Sequence, residues 1–458
     1  MVRAKHSLPR FTRVFSAWTA LFGAAMVWLA TGSGAHCSPV TDGRTGLPIG
    51  TELDEDALNN PREIFHSEAT RGHKSYMSNL GNLAFNSPYT LGDVARKAHI
   101  SCASCHVNGA SNPRLFVPGL STRPGTFDTT SSLFNPKTDN GVLDAVTIPS
   151  LRGARFLSPY GHDGRGASLR EFVRNVVVNE FAGAEPSPQI LDALVVYIED
   201  IDFLPNPNLD KIGRLNAGAS PAQRRGEALF SKPFPHDSGM SCASCHIPSA
   251  AFVDHRQHDV GSGGLYKTPT LVNADFNAPY FHDGRFDNFG EVIDYFNREY
   301  ELGLSAQNRS DLAEYLAALG NGVRPEYRLT GINVLADING FASVLDIAIS
   351  RQDTEVVNLA VRSVNDLLQD LADHYPESTG QATSNGNHEL ALARASIATL
   401  MQILQRVGAA VAAGHDSEAT GEYLNYRKLS FASAPLALQA AEPWSLFNPA
   451  IHARTAAR

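Results

Sequence analysis

Sulfur and tryptophan are scarce in this chain, whose 458 residues include 5 Cys, 5 Met and 3 Trp. Beyond the N-terminal leader the methionines are Met77, Met240 and Met401, and the tryptophan is Trp444. Chemistry that needs a thioether or an indole therefore has few residues to draw on. Positive charge is not in excess: the formal net charge is −9, which argues against a dedicated nucleic-acid binder. Few segments alternate apolar and polar residues with period two, so a mainly α chain with long loops is expected. No histidine occurs between His106 and His162. Val14–Ala30 is an apolar run of signal-peptide length. It follows Arg3, Lys5, Arg10 and Arg13 and precedes the small residues of Thr31–Ala35, so residues 1–35 read as a cleaved secretory leader. Gly34-Ala35-His36 fits a lipobox badly, which argues against lipidation of Cys37.

What is present is a string that occurs twice. Ser-Cys-Ala-Ser-Cys-His stands at Ser101–His106 and again at Ser241–His246. Each copy is a Cys-x-x-Cys-His, the attachment site of a c-type haem. Two thiols add to the two vinyl groups of one porphyrin, and the next residue is then held beneath the iron. Cys102, Cys105, Cys242 and Cys245 are thus expected to carry two covalent haem c groups, with His106 and His246 as proximal iron ligands. Redox or zinc Cys-x-x-Cys pairs are the competing reading, and they do not explain a histidine directly after the second cysteine twice. Only Cys37 is left over. Haem c is attached outside the cytoplasm, which agrees with the leader and points to the periplasm.

A second repeat follows each string. Pro149–Arg165 reads PSLRGARFLSPYGHDGR, and Pro269–Arg285 reads PTLVNADFNAPYFHDGR; the two align without a gap. The chain thus contains two copies of one haem domain. Helices are expected over Leu169–Val178 behind a Ser168/Glu171 capping box and over Val292–Phe296 behind Asn288/Glu291. Amphipathic helices over Pro188–Ile201 and Ser310–Leu319 close the two copies. Phe203–Ser220 reads as a linker, and Ser220-Pro221 as a helix start. Val107–Val146 is a loop long enough to suggest that it covers a site. Beyond Arg324, Ile332–Ser350, Glu355–His374 and Glu389–Ala413 read as an appended helical bundle. The expected organisation is a leader (1–35), an N-terminal cytochrome c-like haem domain (55–205), a C-terminal one (216–325) and a helical extension (326–458).

The paired strings, the Pro-Tyr-x-His-Asp-Gly-Arg blocks and the helix order resemble the di-haem cytochrome c peroxidase family, which includes the MauG-type enzymes. The resemblance covers roughly residues 55–325 and implies two haems facing a shared interface. It implies that the haem on His106 reacts with hydrogen peroxide and that the haem on His246 passes electrons. The family's electron-transfer haem takes a distal Met, or Tyr in MauG-type enzymes; with no Met at hand, Tyr295 is the candidate sixth ligand. The distal His that classical members carry after the first string is missing, so the first haem is expected to be open. His162 stands where the family commonly has an inter-haem Trp, which leaves it a catalytic or a structural histidine. Glu180 stands near the family's acid–base carboxylate for O–O cleavage. Arg165 and Arg285 suit haem propionates, because a guanidinium can grip a carboxylate bidentately. A calcium ion between the domains would fall on Thr147, Asn277 and Pro279. His255 and His258 are spare ligands near the second haem.

The expected function is that of a periplasmic di-haem c-type oxidoreductase. It reduces hydrogen peroxide, or uses it to oxidise a partner, with electrons from a small cytochrome c or cupredoxin or from a protein substrate. No nucleic acid and no stable membrane insertion after leader cleavage are expected. The alternatives are a non-enzymatic di-haem electron carrier and a haem-based sensor or docking subunit working through its C-terminal bundle.

Overall fold

The computed structural model describes residues 45–53, 60–377 and 384–451. The leader and Cys37 lie outside the described residues. The chain is mainly helical, with two short antiparallel strand pairs. The N-terminal part carries α1 (His66–Arg71), α2 (Tyr76–Phe85), α3 (Asp93–Lys97), α4 (Cys102–Cys105), β1 (Thr126–Phe127), β2 (Val146–Thr147), α5 (Leu169–Asn175) and α6 (Pro188–Asp200). The second part repeats much of this order with α7 (Pro221–Phe230), α8 (Cys242–Cys245), β3 (Gln257–Asp259), β4 (Leu265–Lys267), α9 (Phe289–Glu299) and α10 (Ala306–Gly320).

Each half is built on one close helix crossing. A Cβ at Gly81 of α2 would lie 1.9 Å from the Ala193 carbonyl oxygen of α6, and one at Gly226 of α7 would lie 2.1 Å from the Asp311 carbonyl oxygen of α10. Only glycine lets the backbones approach so closely. Each crossing presents a phenylalanine and a tyrosine behind the haem string. Phe85 lies 5.0 Å from Tyr197 and 6.3 Å from the His106 ring. Phe230 lies 5.2 Å from Tyr315 and 6.3 Å from the His246 ring.

The helix starts follow from local capping chemistry. Ser168, Ser187, Ser220 and Asn288 each accept a backbone N–H with the side-chain oxygen, and Pro188 and Pro221 open their helices where no N–H is needed. The expected Leu169–Val178 helix differs in detail. It is α-helical to Asn175 and then widens into a π turn over Val176–Glu180. The stretch 203–220 is not a loose linker. Leu204 N–H donates to Asn273 Oδ1 at 2.8 Å, and Asn206 Nδ2 donates to the Ala318 and Leu319 carbonyls at 2.9 and 3.0 Å, which tie it to the second haem domain.

The C-terminal part is α11 (Gly331–Ala342), α12 (Leu345–Ser350), α13 (Thr354–Asp373), α14 (Ser384–Ala412), α15 (Asp416–Phe431) and α16 (Ser433–Ala441). The helix expected over Ile332–Ser350 is broken between α11 and α12, and α15 and α16 add to the expected bundle. The bundle shares one apolar core with the N-terminal haem domain: Leu80, Leu83 and Leu194 cluster with Leu335, Val356 and Leu400. Polar pins reinforce the seam, with Arg62 on Asp337 at 2.7 Å and Ser87 Oγ on Ser363 Oγ at 2.7 Å. Gly331–Ser350 and Asn385–Ala412 are long and apolar enough to cross a membrane by length and composition. Their Leu335, Ile338, Leu345, Ile397, Leu400 and Leu404 are buried in this core.

Candidate functional site: two haem sites on one cavity

Both Cys-x-x-Cys-His strings open onto a single cavity of about 1600 Å³, which Cys102, Cys105, His106, Cys242, Cys245 and His246 all line. A typical small-molecule site measures about 300–1,000 Å³, so this cavity has the room of two sites. Each string forms a one-turn helix that ends at its histidine. His106 Nδ1–H donates to the Pro149 carbonyl at 3.0 Å, and His246 Nδ1–H donates to the Phe252 carbonyl at 3.1 Å. These bonds leave each Nε2 for a metal, which is how a ligating imidazole is normally oriented. Burial pushes His106 down to about 4 and lowers His246 as well, so both rings are neutral, as iron ligation requires. Burial also pushes the Cys102 thiol up to about 12 and the Cys242 thiol up to about 11. Each pair of thiols stands one helical turn apart beside its histidine, the spacing at which two thioethers and one proximal imidazole serve a single porphyrin. The donor set fits two haem c groups.

The halves lock together reciprocally. Thr147 N–H donates to the His282 carbonyl at 2.7 Å, and Lys267 N–H donates to the His162 carbonyl at 2.9 Å. In the register set by Pro149 and Pro269, Thr147 corresponds to Lys267 and His162 to His282. The contact is thus the two-fold kind in which equivalent residues exchange partners. The side chains then diverge. His162 Nε2–H donates to the Thr147 carbonyl at 2.6 Å, and burial pushes it down to about 4. His282 instead stacks on Tyr266, with ring centroids 3.7 Å apart. Lys267 Nζ donates to the Leu157 and Pro159 carbonyls of the other half, each at 2.7 Å.

On the His106 side, the π turn brings Glu180 to the cavity wall, 8% exposed. Such turns concentrate at functional sites. Arg165 bridges Glu180 Oε1 at 3.0 Å and Asp163 Oδ1 at 3.1 Å. Burial raises the proton affinity of Glu180, while Arg165 and a hydrogen bond from Thr129 oppose it. The long loop clamps this turn: Asn135 Nδ2 and Thr138 Oγ1 donate to the Asn179 carbonyl at 2.5 and 3.1 Å. Glu180, Arg165 and His162 all line the cavity, and Arg165 is paired with Glu180.

Two expectations are corrected. Tyr295 is not among the cavity-lining residues: its hydroxyl donates to the Val260 carbonyl at 2.7 Å, and its ring packs against Phe281, Phe286 and Phe296. Tyr300 lines the cavity instead, stacked on Phe296. In the repeat register Tyr300 is the counterpart of Glu180, a signal the sequence holds once the two blocks are aligned past Arg165 and Arg285. Arg285 also leaves the wall; it is spent on Asp283 at 2.6 Å and the Ser262 carbonyl at 3.2 Å. His255 Nδ1–H donates to the Ser158 carbonyl at 2.7 Å. His258 Nε2 lies 2.6 Å from Asp254 Oδ2, and with Cys245 they form the one cluster of metal-ligand type among the described residues. Thr147, Asn277 and Pro279 line the cavity together; Thr147 Oγ1 is committed to the Phe281 carbonyl at 3.0 Å, while Asn277 Oδ1 is buried without a partner. Their fit to calcium is therefore partial.

Comparison with known proteins agrees with this geometry. Residues 223–327 match the family described as di-haem cytochrome c peroxidase. The chain is 25% identical over 344 residues to the hydrazine synthase subunit gamma of Kuenenia stuttgartiensis, covering 62% of this chain and 87% of that one. It is 42% identical over 64 residues to the cytochrome c peroxidase Ccp of Escherichia coli (strain K12), covering 13% of this chain and 14% of the peroxidase. Among solved structures, a MauG-like protein associated with microbial copper homeostasis aligns with TM-score 0.38 and 17% identity over 57% of this chain and 92% of that one. The family match covers the second haem domain, and the first shares its string, its block and its reciprocal lock. The second haem domain thus matches the di-haem cytochrome c peroxidase family, and the first is similar to it through the internal repeat.

Proposed function

We propose that this protein reduces hydrogen peroxide, or uses it to oxidise a partner, on the His106 side of the cavity, with electrons entering on the His246 side. The supporting observation is the asymmetry of equivalent positions: a buried carboxyl, Glu180, faces one site, and a phenol, Tyr300, faces the other. Bound haem would supply the redox chemistry. Reduction to water consumes one peroxide, two electrons and two protons, and the residues of the chain handle the protons. Burial disfavours the Glu180 anion and raises its affinity for a proton, while Arg165 beside it favours the anion. Glu180 would pass a proton to the leaving oxygen and take one back from the attacking oxygen. Arg165, fixed by Asp163, keeps the Glu180 carboxyl oriented and compensates the charge when the proton leaves. Phe127, Phe134 and Phe181 stack beside the turn and keep bulk water from that wall. At the position equivalent to Glu180 the second site has Tyr300 and its aromatic neighbours in place of a carboxyl, which suits electron passage. The electron donor in this reading is a small cytochrome or cupredoxin, and the compartment is the periplasm, on the strength of the leader and the haem strings.

The test is steady-state peroxide reduction by the haem-loaded protein with a reduced small cytochrome c. Turnover that Glu180→Gln lowers by roughly a hundredfold or more, with the haem spectra retained, supports the reading. Absence of turnover by the wild type contradicts it and leaves an electron carrier.

A further inference from the structure

The two strand pairs at the lock are joined very differently. β3 and β4 are linked by the short turn 260–264, whereas β1 and β2 are separated by the segment 128–145. The longer segment brings carboxyl and hydroxyl groups to the cavity wall: Asp128, Thr129, Thr130 and Asp144 all line it. Asp128 is buried, 4% exposed, and Asp144 is exposed. Thr130 stands between them. Its backbone N–H and its Oγ1 both meet Asp128 Oδ1 at 2.8 Å, and the same Oγ1 lies 3.3 Å from Asp144 Oδ1. Burial, with the Asp144 charge nearby, raises the proton affinity of Asp128, while Thr130 opposes it. Asn140 Nδ2 holds the other oxygen of Asp144 at 3.1 Å. Thr129, the residue between Asp128 and Thr130, lines the same cavity as Glu180. Polar groups thus line the way from solvent at Asp144 to the cavity that Glu180 also lines.

This arrangement meets a need that Glu180 alone cannot. One carboxyl can shuttle a proton between the two oxygens of peroxide, but the net reaction takes two protons from solvent each turn. Glu180 is almost wholly buried. We propose that Asp144, Thr130 and Asp128 form a proton inlet that recharges Glu180 from solvent through Thr129. The step moves protons alone: Asp144 takes one from water, Asp128 passes one inward, and no electrons change hands. The charged groups facing this route are Asp144 on Asp128, and Arg165 and Asp163 on Glu180. The inference rests on the peroxide reading above.

The experiment compares haem-loaded full-length wild type, D128N, T130V, D144N and D128E. Peroxide turnover is followed against pH and in deuterium oxide, with and without added formate. Infrared spectra of the same samples follow protonated carboxyl bands. The expected result is a loss of roughly tenfold or more in D128N, with smaller losses in T130V and D144N. The deuterium effect grows in D128N, formate or D128E restores the rate, and D128N removes a deuterium-sensitive carboxyl band. Turnover in D128N and T130V within about twofold of an active wild type overturns the inlet and leaves the peroxide reading standing. A slow D128N that neither formate nor D128E rescues, with an unchanged deuterium effect, also overturns it, because that marks a structural role. A wild type that does not turn over peroxide overturns both.

Discussion

The two haem domains share a scaffold and differ where the scaffold meets the cavity. Both use a glycine-mediated helix crossing, a Phe–Tyr pair behind the proximal histidine and a Pro-Tyr-x-His-Asp-Gly-Arg block that donates to and accepts from its twin. At equivalent wall positions the first presents Glu180 and the second Tyr300. The first inserts a polar segment between its strands and the second closes them with a short turn. The first pins its block histidine to a carbonyl; the second stacks it on a tyrosine. In the proposed reading, a duplicated fold separates proton handling from electron handling by changing residues around a common frame.

The largest expected effect comes from removing one half's chemistry. Cys102→Ala with Cys105→Ala should halve the haem absorbance per chain and abolish peroxide reaction. Cys242→Ala with Cys245→Ala should halve the absorbance but leave a haem that still reacts with peroxide in a single-turnover mixing experiment. Equal reactivity of the two variants would erase the comparison. Next, Gly81→Ala and Gly226→Ala should each cost about 1–3 kcal/mol in denaturant unfolding, because the added methyl meets a backbone carbonyl. Gly81→Ala should selectively loosen the His106 site, and Gly226→Ala the His246 site.

Smaller effects sharpen the division. Tyr300→Phe should alter the spectrum and potential of the His246 haem while changing the peroxide reaction of the other by less than about twofold, the reverse of Glu180→Gln. His162 titrates near 4 when folded against an ordinary 6.5. Between these values the unfolded chain binds a proton that the folded chain refuses, so stability falls as pH drops from 6.5 toward 4. His162→Gln should flatten that part of a pH–stability curve. Glu180 has the opposite sign: its folded form holds the proton more tightly than the unfolded one, so its contribution is lost as pH rises through its raised folded value. A peroxide rate that also falls in that direction, and does not in Glu180→Gln, would tie the slope to this acid.

Much of this was legible in the sequence because covalent chemistry and repetition leave strict marks. The two Cys-x-x-Cys-His strings specify both haem sites, and the gapless blocks at Pro149 and Pro269 announce the duplication. Glu180, Arg165 and His162, singled out in the sequence, all line the cavity. What escaped depends on side-chain direction. Tyr295 and Tyr300 sit near one helix end, and only the fold shows that the first hydroxyl turns to Val260 while the second residue faces the cavity. The proline- and glycine-rich stretch before Val146 reads as a cover, yet its Asp128–Thr130–Asp144 cluster forms only when residues far apart in sequence close on each other. The bundle was legible as helices, but its shared core with α2 and α6 rests on long-range packing that periodicity does not encode.

The central claim, that the halves divide peroxide and electron chemistry, is tested most directly by electron paramagnetic resonance of the haem-loaded ferric protein before and after one equivalent of hydrogen peroxide. The account predicts one high-spin and one low-spin signal, with the high-spin signal consumed by peroxide and missing from the Cys102/Cys105 variant. Two low-spin signals that peroxide leaves unchanged, also after partial reduction, would contradict it.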